Sequence, residues 1–439
     1  MRVSLVSLSR GRVLEMPPLG LLYLSASILE SGLGEVALHD IPIVSDGGRT
    51  PREAALEILA ADPDVICLSL CTESACYARR LLQAIRESSC SIVPAVIGGP
   101  HATCAPESCA RSIGAAVVVR GPAEAVLPGL LRAVTSGSPV SGPGVTRLGK
   151  SCILDARGPG FRSARGTPLR PDRSSYDLRI YRFPFTIVTS RGCPGRCRFC
   201  ATQVIHSGRY YPRSLQDVSE ELADLVEEHG ASGLSILDDA FTSGAERTRR
   251  MCDVLANHDL RWFCESRLDS AEESILRLMA DSGCREIQFG LECFDESLSR
   301  LIGKRLPEVP VARLVEMAAD LGIRVAVSLM IGLPGDTVGI VMERIRKAVE
   351  LADSGAAAIE FGCLKLYPGT YMYENATRLG YLECRDWWEQ DREEPLCFPS
   401  RMLSREELLG LQMYANYMVS QESSAICGAT VTVEQRPES

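Results

Sequence analysis

Arg191-Gly-Cys-Pro-Gly-Arg-Cys-Arg-Phe-Cys-Ala201 sets Cys193, Cys197 and Cys200 at C-x3-C-x2-C spacing, directly after the strand-like run Phe185-Thr-Ile-Val-Thr-Ser190. Gly192 and Gly195 loosen the backbone and Pro194 forbids a helix, so three sulfurs can turn toward one centre. Three thiolates are one short of the four that a structural zinc or a closed iron–sulfur cluster takes. His206, the next candidate ligand, is followed by Ser-Gly-Arg and no second cysteine pair. The spacing therefore points to a metal centre with an open coordination site. Most of the remaining cysteines sit in apolar runs such as Val65-Ile-Cys-Leu-Ser-Leu and read as buried packing residues.

Downstream of the loop, apolar runs near Leu234–Leu237, Trp262–Glu265, Glu286–Gly290, Val325–Met330 and Ala358–Leu366 alternate with helical patterns. Those helices are expected from Ser214, at 245–257, 270–282, 310–321 and 338–353, the second of these ranges opening on a capping box Ser270-x-x-Glu273. With Phe185–Ser190 this makes six βα units, a partial (β/α)6 TIM-like barrel over 183–380. Functional groups are then expected at the carboxyl ends of its strands. Those ends carry Asp238, Asp239, Glu265, Arg267, Glu292 and the turn Ile331-Gly332-Leu-Pro-Gly335.

Upstream, the strand patterns 3–8, 36–40, 64–70, 92–97 and 115–119 alternate with helices, one of them capped by Thr50-Pro51-Arg-Glu53. This is the pattern of an α/β, Rossmann-like, doubly wound sheet over 1–135. Pro17, Gly20, Ser69, Thr72, Gly98, Gly99 and Gly121 fall at its strand ends, where such sheets bind ligands. Residues 136–182, rich in Gly, Ser, Pro and Arg, read as an extended linker, and 381–439 as a small, mostly helical region closing the bottom or mouth of the barrel. Its pair Trp387-Trp388 reads as core, and its end, Gln435–Ser439, as frayed.

The 439 residues are 46% hydrophobic and 23% charged, an ordinary globular balance. A net charge of −9 and a pI near 5.3 argue against a nucleic-acid surface. No apolar run reaches transmembrane length, and the chain opens on a strand pattern rather than a signal peptide. Eighteen cysteines without framework spacing suit a reducing cytoplasm.

The C-x3-C-x2-C loop, with Phe199 before its last cysteine, resembles the cluster loop of the radical S-adenosylmethionine (SAM) superfamily. Pro17-Pro-Leu19-Gly20, Ser69-x-x-Thr72, Gly98-Gly99-Pro-His101 and Arg120-Gly121 followed by Glu124 resemble the domain that precedes it in cobalamin-dependent members. The resemblance implies that Cys193, Cys197 and Cys200 hold a [4Fe–4S] cluster whose fourth iron binds SAM. It puts Phe199, Asp238, Asp239, Glu265, Arg267, Glu292, Ile331 and Gly332 against SAM. Asp238 and Asp239 stand where the family has a Gly-Gly-Glu segment on the SAM amino group. It puts Pro17, Leu19, Gly20, Ser69, Thr72, Gly98, Gly99, His101, Arg120, Gly121 and Glu124 against cobalamin. Asp-x-His-x-x-Gly is missing from residues 1–140, so neither His39 nor His101 is placed to ligate cobalt from below.

The function so implied is a methyltransferase that carries methyl via methylcobalamin to an unactivated carbon, or a phosphorus, of a small-molecule or peptide substrate. An external one-electron reductant of flavodoxin or ferredoxin type is its partner. The alternatives are a cobalamin-dependent cyclase or ring-rearrangement enzyme, and a non-catalytic cobalamin- or metal-binding regulatory protein. No residue is singled out as the catalytic acid or base.

Overall fold

Runs such as Val65-Ile-Cys-Leu-Ser69 have no polar face to give to water, so they need cover on both sides. The computed structural model, which describes residues 1–439 except 11–13, 44–47, 175, 356–357, 391–396 and 424–439, supplies that cover. β1 (Arg2–Arg10), β2 (Glu35–Ile43), β3 (Val65–Ser69), β4 (Ala95–Gly98), β5 (Val117–Arg120), β6 (Val145–Leu148) and β7 (Ser151–Asp155) form one sheet in the order β2-β1-β3-β4-β5-β7-β6. Every neighbouring pair is parallel except β6 with β7. This is a doubly wound order whose direction reverses between β1 and β3, and the crevice beyond the carboxyl ends is its natural ligand site. The Thr50 capping box forms, the Thr50 hydroxyl accepting from Glu53 N–H while the Glu53 carboxylate accepts from Thr50 N–H at 2.8 Å.

The segment expected to be an extended linker, 136–182, departs from that reading at its start. β6 and β7 form a hairpin, and β7 pairs in parallel with β5 through Val117↔Cys152 to Arg120↔Asp155. The composition of 134–150 hides this, because the partner that orders Ser151–Asp155 lies in β5, with Val117 opposite Cys152 and Arg120 opposite Asp155.

β8 (Thr186–Ile187) opens the second sheet. Beside it, β9 (Ser190–Arg191) and β10 (Tyr211–Pro212) make a short antiparallel ladder that brackets the cysteine loop. β11 (Gly233–Ile236), β12 (Arg261–Arg267), β13 (Cys284–Glu292), β14 (Arg324–Ile331) and β15 (Ala358–Cys363) then follow in the spatial order β15-β14-β13-β12-β11-β8, all parallel. Along β14, Val325, Val327, Leu329 and Ile331 are buried under the helices, and the alternate residues Ala326, Ser328 and Met330 face the lumen. The helix expected from a Ser270 capping box begins instead at Glu273. The Ser270 hydroxyl is occupied elsewhere, donating to Arg267 O (2.9 Å) and meeting Thr242 Oγ1 (2.5 Å).

A six-stranded arc leaves an open edge at β15, and unpaired edge groups need partners. The C-terminal helix Arg405–Ser423 supplies them with side-chain amides. Asn416 Oδ1 accepts from Phe361 N–H (2.8 Å), while Gln412 and Asn416 donate to Phe361 O (3.0 and 3.1 Å). This region therefore covers the edge of the barrel rather than its bottom or mouth, because the edge is where backbone groups are left over. Trp387 and Trp388 are core, as expected, but in the core of the first sheet. Trp388 packs on His101 at 5.4 Å and donates to Ser108 Oγ at 2.9 Å. The end expected to be frayed, Gln435–Ser439, lies outside the described residues.

The two sheets are also joined by buried charge. Glu221, with no exposed surface, accepts from Arg173 and Arg213 at 2.6 Å each, and Arg213 also reaches the Tyr23 hydroxyl on the helix Leu19–Glu30. Removing the carboxylate strands two buried guanidinium groups, a loss of about 3–5 kcal/mol. Glu221→Ala is thus expected to lower the urea midpoint strongly and Glu221→Gln less so; equal, small shifts for both would contradict this account.

Candidate functional site

The cysteine loop is held from beneath by two carboxylates at the carboxyl end of β11. Asp238 is fully buried and accepts from Thr189 N–H and Oγ1 (2.6 Å each) and from Ser190 N–H (3.0 Å) and Oγ (2.5 Å). Burial pushes its pKa up, and these hydrogen bonds pull it back. A carboxylate has about four acceptor positions. All four are used inside the protein, so Asp238 is a brace for the loop and not a free grip for an ammonium group. Asp239 accepts from Gly192 N–H (2.8 Å) and Thr202 Oγ1 (2.7 Å), holding both ends of the loop, and His206 Nε2 lies 3.9 Å away.

Arg267 lies across the loop. Asp269 fixes its guanidinium at 2.6–2.8 Å, and Nη1 stands 3.6 Å from Cys197 Sγ. A Cβ at residue 195 would run into that guanidinium, so Gly195 is what permits the approach; its own N–H points to Cys193 Sγ at 3.4 Å. Burial pushes the Cys193 and Cys200 thiols up, opposed at Cys193 by the Gly195 N–H and Arg267 and at Cys200 by Thr202. Ligation to a metal must then release protons.

Above the loop, the parallel register puts Glu265 beside Gln288, and Ser328 beside Gly290 and Glu360, on the lumen face. Gln288 donates to Ser328 Oγ at 2.9 Å. Burial, and then Asp239, push the Glu265 carboxyl up. Glu292 is committed elsewhere: it pairs with buried Lys304 at 2.6 Å, in a left-handed backbone conformation (φ 69°). Ile331 is buried in the core. Gly332 N–H donates to Asp336 at 3.0 Å and its carbonyl accepts from Tyr381 at 2.7 Å, which stiffens the turn.

Two cavities lie between the sheets. One, of about 240 Å³, is a slot beyond β3, β4 and β5; it gathers Gly20, Ser69, Gly98, Gly99, Gly121 and Glu124 with Arg191 and His206 from the barrel. A Cβ at Gly20 or Gly98 would meet nothing within 4 Å, so these glycines leave open space there. Gly99 has φ 93°, and a Cβ there would stand 2.6 Å from Leu70 N. The other, of about 440 Å³, brings Thr72, Glu73 and Cys104 of the first sheet opposite Phe199, Met330 and Tyr367 of the barrel. Pro17, Leu19, His101 and Arg120 line neither. Leu19 is core, His101 is buried between Thr72 (3.3 Å) and Trp388, and Arg120 bonds Thr103 O and Asp155.

Residues 10–131 match the B12 binding domain and residues 187–348 the Radical SAM superfamily. The chain belongs to the cobalamin-dependent radical SAM enzymes. An uncharacterised methyltransferase of Pyrococcus horikoshii is 29% identical to it over 89% of this chain and 85% of its own length. Anaerobic magnesium-protoporphyrin IX monomethyl ester cyclase of Rubrivivax gelatinosus is 24% identical over 76% of this chain and 62% of its own. The fold is that of TsrM, a radical SAM methyltransferase of Kitasatospora setae solved with cobalamin and a [4Fe–4S] cluster, with a TM-score of 0.69 at 20% identity, covering 86% of this chain and 75% of that one.

The cofactors of this radical SAM enzyme are a [4Fe–4S] cluster, SAM and cobalamin, and its residues fit them. Among the described residues no three His, Cys, Asp or Glu side chains close on a single ion. Three thiolates on one glycine-relaxed loop instead suit a cluster whose irons each take one sulfur. The polar lumen suits an amino-acid-bearing cosubstrate, and the glycine-walled slot suits a flat group. Sequence patterns missed Gln288, Ser328, Glu360, Lys304, Glu73, Lys365, Tyr367 and Arg191, which are ordinary residues in strand or loop context. The lumen trio was detectable as polar residues at alternate positions in otherwise apolar strands.

A cation at the place of Arg267, 3.6 Å from Cys197 Sγ, would favour the reduced, more negative form of a cluster held by this loop. In Arg267→Met the cluster's reduction potential is expected to fall by roughly 40 mV, the one-electron equivalent of about 1 kcal/mol. Potentiometry with unchanged iron content checks this, and a potential that stays put or rises refutes it.

Proposed function

We propose that this enzyme methylates an unactivated carbon, or a phosphorus, of a small-molecule or peptide substrate bound between its two sheets. The carrying observation is the cavity of about 440 Å³, where the carboxyl ends of both sheets meet beside Cys200. When bound, SAM with the cluster supplies radical chemistry and cobalamin a methyl carrier. A nucleophilic acceptor would need neither, since it can take methyl from SAM directly.

The chain's own part is to hold, orient and exclude water. We assign Cys193, Cys197 and Cys200 to the cluster; Asp239, Glu265, Gln288 and Ser328 to SAM; and the glycine-walled slot to the nucleotide tail of cobalamin. The first unit then extends to Asp155, since β7 belongs to its sheet. On the cavity wall Glu73 accepts from Tyr367 (2.7 Å) and Lys365 (3.2 Å), joining the first sheet to the barrel. Burial alone would raise the Glu73 pKa, but Lys365 and Tyr367 overcome it and hold the carboxyl below the usual range, so this group stays ionised at neutral pH. The arrangement offers a substrate one cation and one anion side by side, and binding there fixes the reacting atoms near attack distance.

A low-potential flavodoxin- or ferredoxin-type protein is the proposed reductant. No described helix is long and apolar enough to cross a membrane, no disulfide joins the described cysteines, and a cytoplasmic setting is proposed on that basis. The similarity to the cyclase of Rubrivivax gelatinosus supports a second reading, ring formation without methyl transfer. Product analysis separates the two. Methylation predicts S-adenosylhomocysteine and 5′-deoxyadenosine in about equal amounts with a methylated product. Formation of 5′-deoxyadenosine with neither S-adenosylhomocysteine nor a methyl mass gain favours the cyclase.

A further inference from the structure

The slot assigned to the tail of cobalamin is not built by the first sheet alone. Its lining includes apolar residues of that unit, such as Leu21, Val96 and Leu127, but also Arg191, Ile205 and His206 of the barrel. Two of its lining residues each carry a buried polar atom with no partner, Glu124 Oε2 and His206 Nδ1. Buried polar groups are normally satisfied. A pair left open on one cavity, one from each unit, asks for a ligand with a flat apolar body and polar atoms at its end, as a heteroaromatic base on a ribose has.

Arg191 is immobilised where it lines the slot. Its guanidinium pairs with Glu124 at 2.6 Å and lies 3.9 Å from the Phe161 ring and 5.5 Å from Tyr23. Gly160 makes room for it, and Phe161 is held at φ 61°, the one aromatic residue with positive φ among those described. Such strain persists only where the surroundings enforce it. Arg191 is also two residues before Cys193. His206 reaches the same loop by another path, through Asp239 at 3.9 Å, which accepts from Gly192 N–H.

We infer that Arg191, Glu124 and His206 form an inter-unit latch that makes cobalamin-tail binding and ordering of the cluster loop interdependent. This rests on the tail assignment above. An occupant that satisfies Glu124 Oε2 and His206 Nδ1 stiffens Arg191, the neighbour of Gly192 in the chain, and His206, which faces the Asp239 that accepts from Gly192 N–H, and an assembled cluster presents those residues already ordered to the tail. Such linkage is reciprocal in equilibrium.

The test uses the full-length wild-type chain under anaerobic conditions, with and without its reconstituted cluster, titrated with hydroxocobalamin by visible absorption. Affinity is expected to be roughly tenfold tighter with the cluster present, and added cobalamin is expected to slow iron loss to a chelator. In His206→Ala and, separately, Arg191→Lys, affinity falls and the dependence on the cluster shrinks toward none. Equal affinity with and without the cluster overturns the latch while leaving the slot standing. Binding that both variants leave untouched overturns the slot assignment and the latch with it. The wild-type comparison decides the matter even if a variant fails to fold.

Discussion

The cysteine loop that β9 and β10 bracket has few backbone partners of its own, and much near it is arranged around that shortage. Asp238 and Asp239 answer it from the end of β11, taking hydrogen bonds from Thr189, Ser190, Gly192 and Thr202. The cost is two adjacent carboxylates, one fully buried. Arg247, 3.8 Å from Asp238, and the hydrogen bonds themselves compensate the charge. The loop can then open its sulfurs to the lumen without collapsing onto them.

The second constraint is that the two sheets must point their carboxyl ends at each other. Apolar packing contributes most of this, since Trp387, Trp388, Tyr373 and Phe398 share one core with β3, β4 and the helix Ala75–Ser88. Apolar packing is non-directional, however. Direction comes from two charged pairs that cross between units, Glu124 with Arg191 and Glu73 with Lys365, and from the hydrogen bond of Arg213 to the Tyr23 hydroxyl. Each pair leaves a charge uncompensated if the units rotate apart, which penalises misalignment more steeply than lost area would.

Much of the fold was legible in local pattern. The helix 338–353 sits where periodicity put it, and all six barrel strands fall within the apolar runs or overlap them. The slot glycines Gly20, Gly98, Gly99 and Gly121 were legible too, because a strand-end glycine marks backbone that something must approach. What local pattern hides has one cause. Ser151–Asp155 reads as linker because its partner is in β5. Nothing near Asp238 in the chain announces its hydrogen-bonding partners at 189 and 190, about fifty residues away, and nothing near His101 announces Trp388.

Cysteine spacing, glycine positions and the periods of 2 and 3.6 are properties of neighbouring residues, so the sequence by itself determined the C-x3-C-x2-C loop, the two α/β units and, through the family they resemble, the cofactor set. Which polar side chains face a cavity and which are consumed as braces was decided only by the tertiary structure. Glu73 finds Lys365 across 292 positions and Arg79 finds the Glu389 carbonyl across 310, and no local period encodes such a distance. A carboxylate at a strand end looks the same in sequence whether it waits for a ligand or already holds four hydrogen bonds.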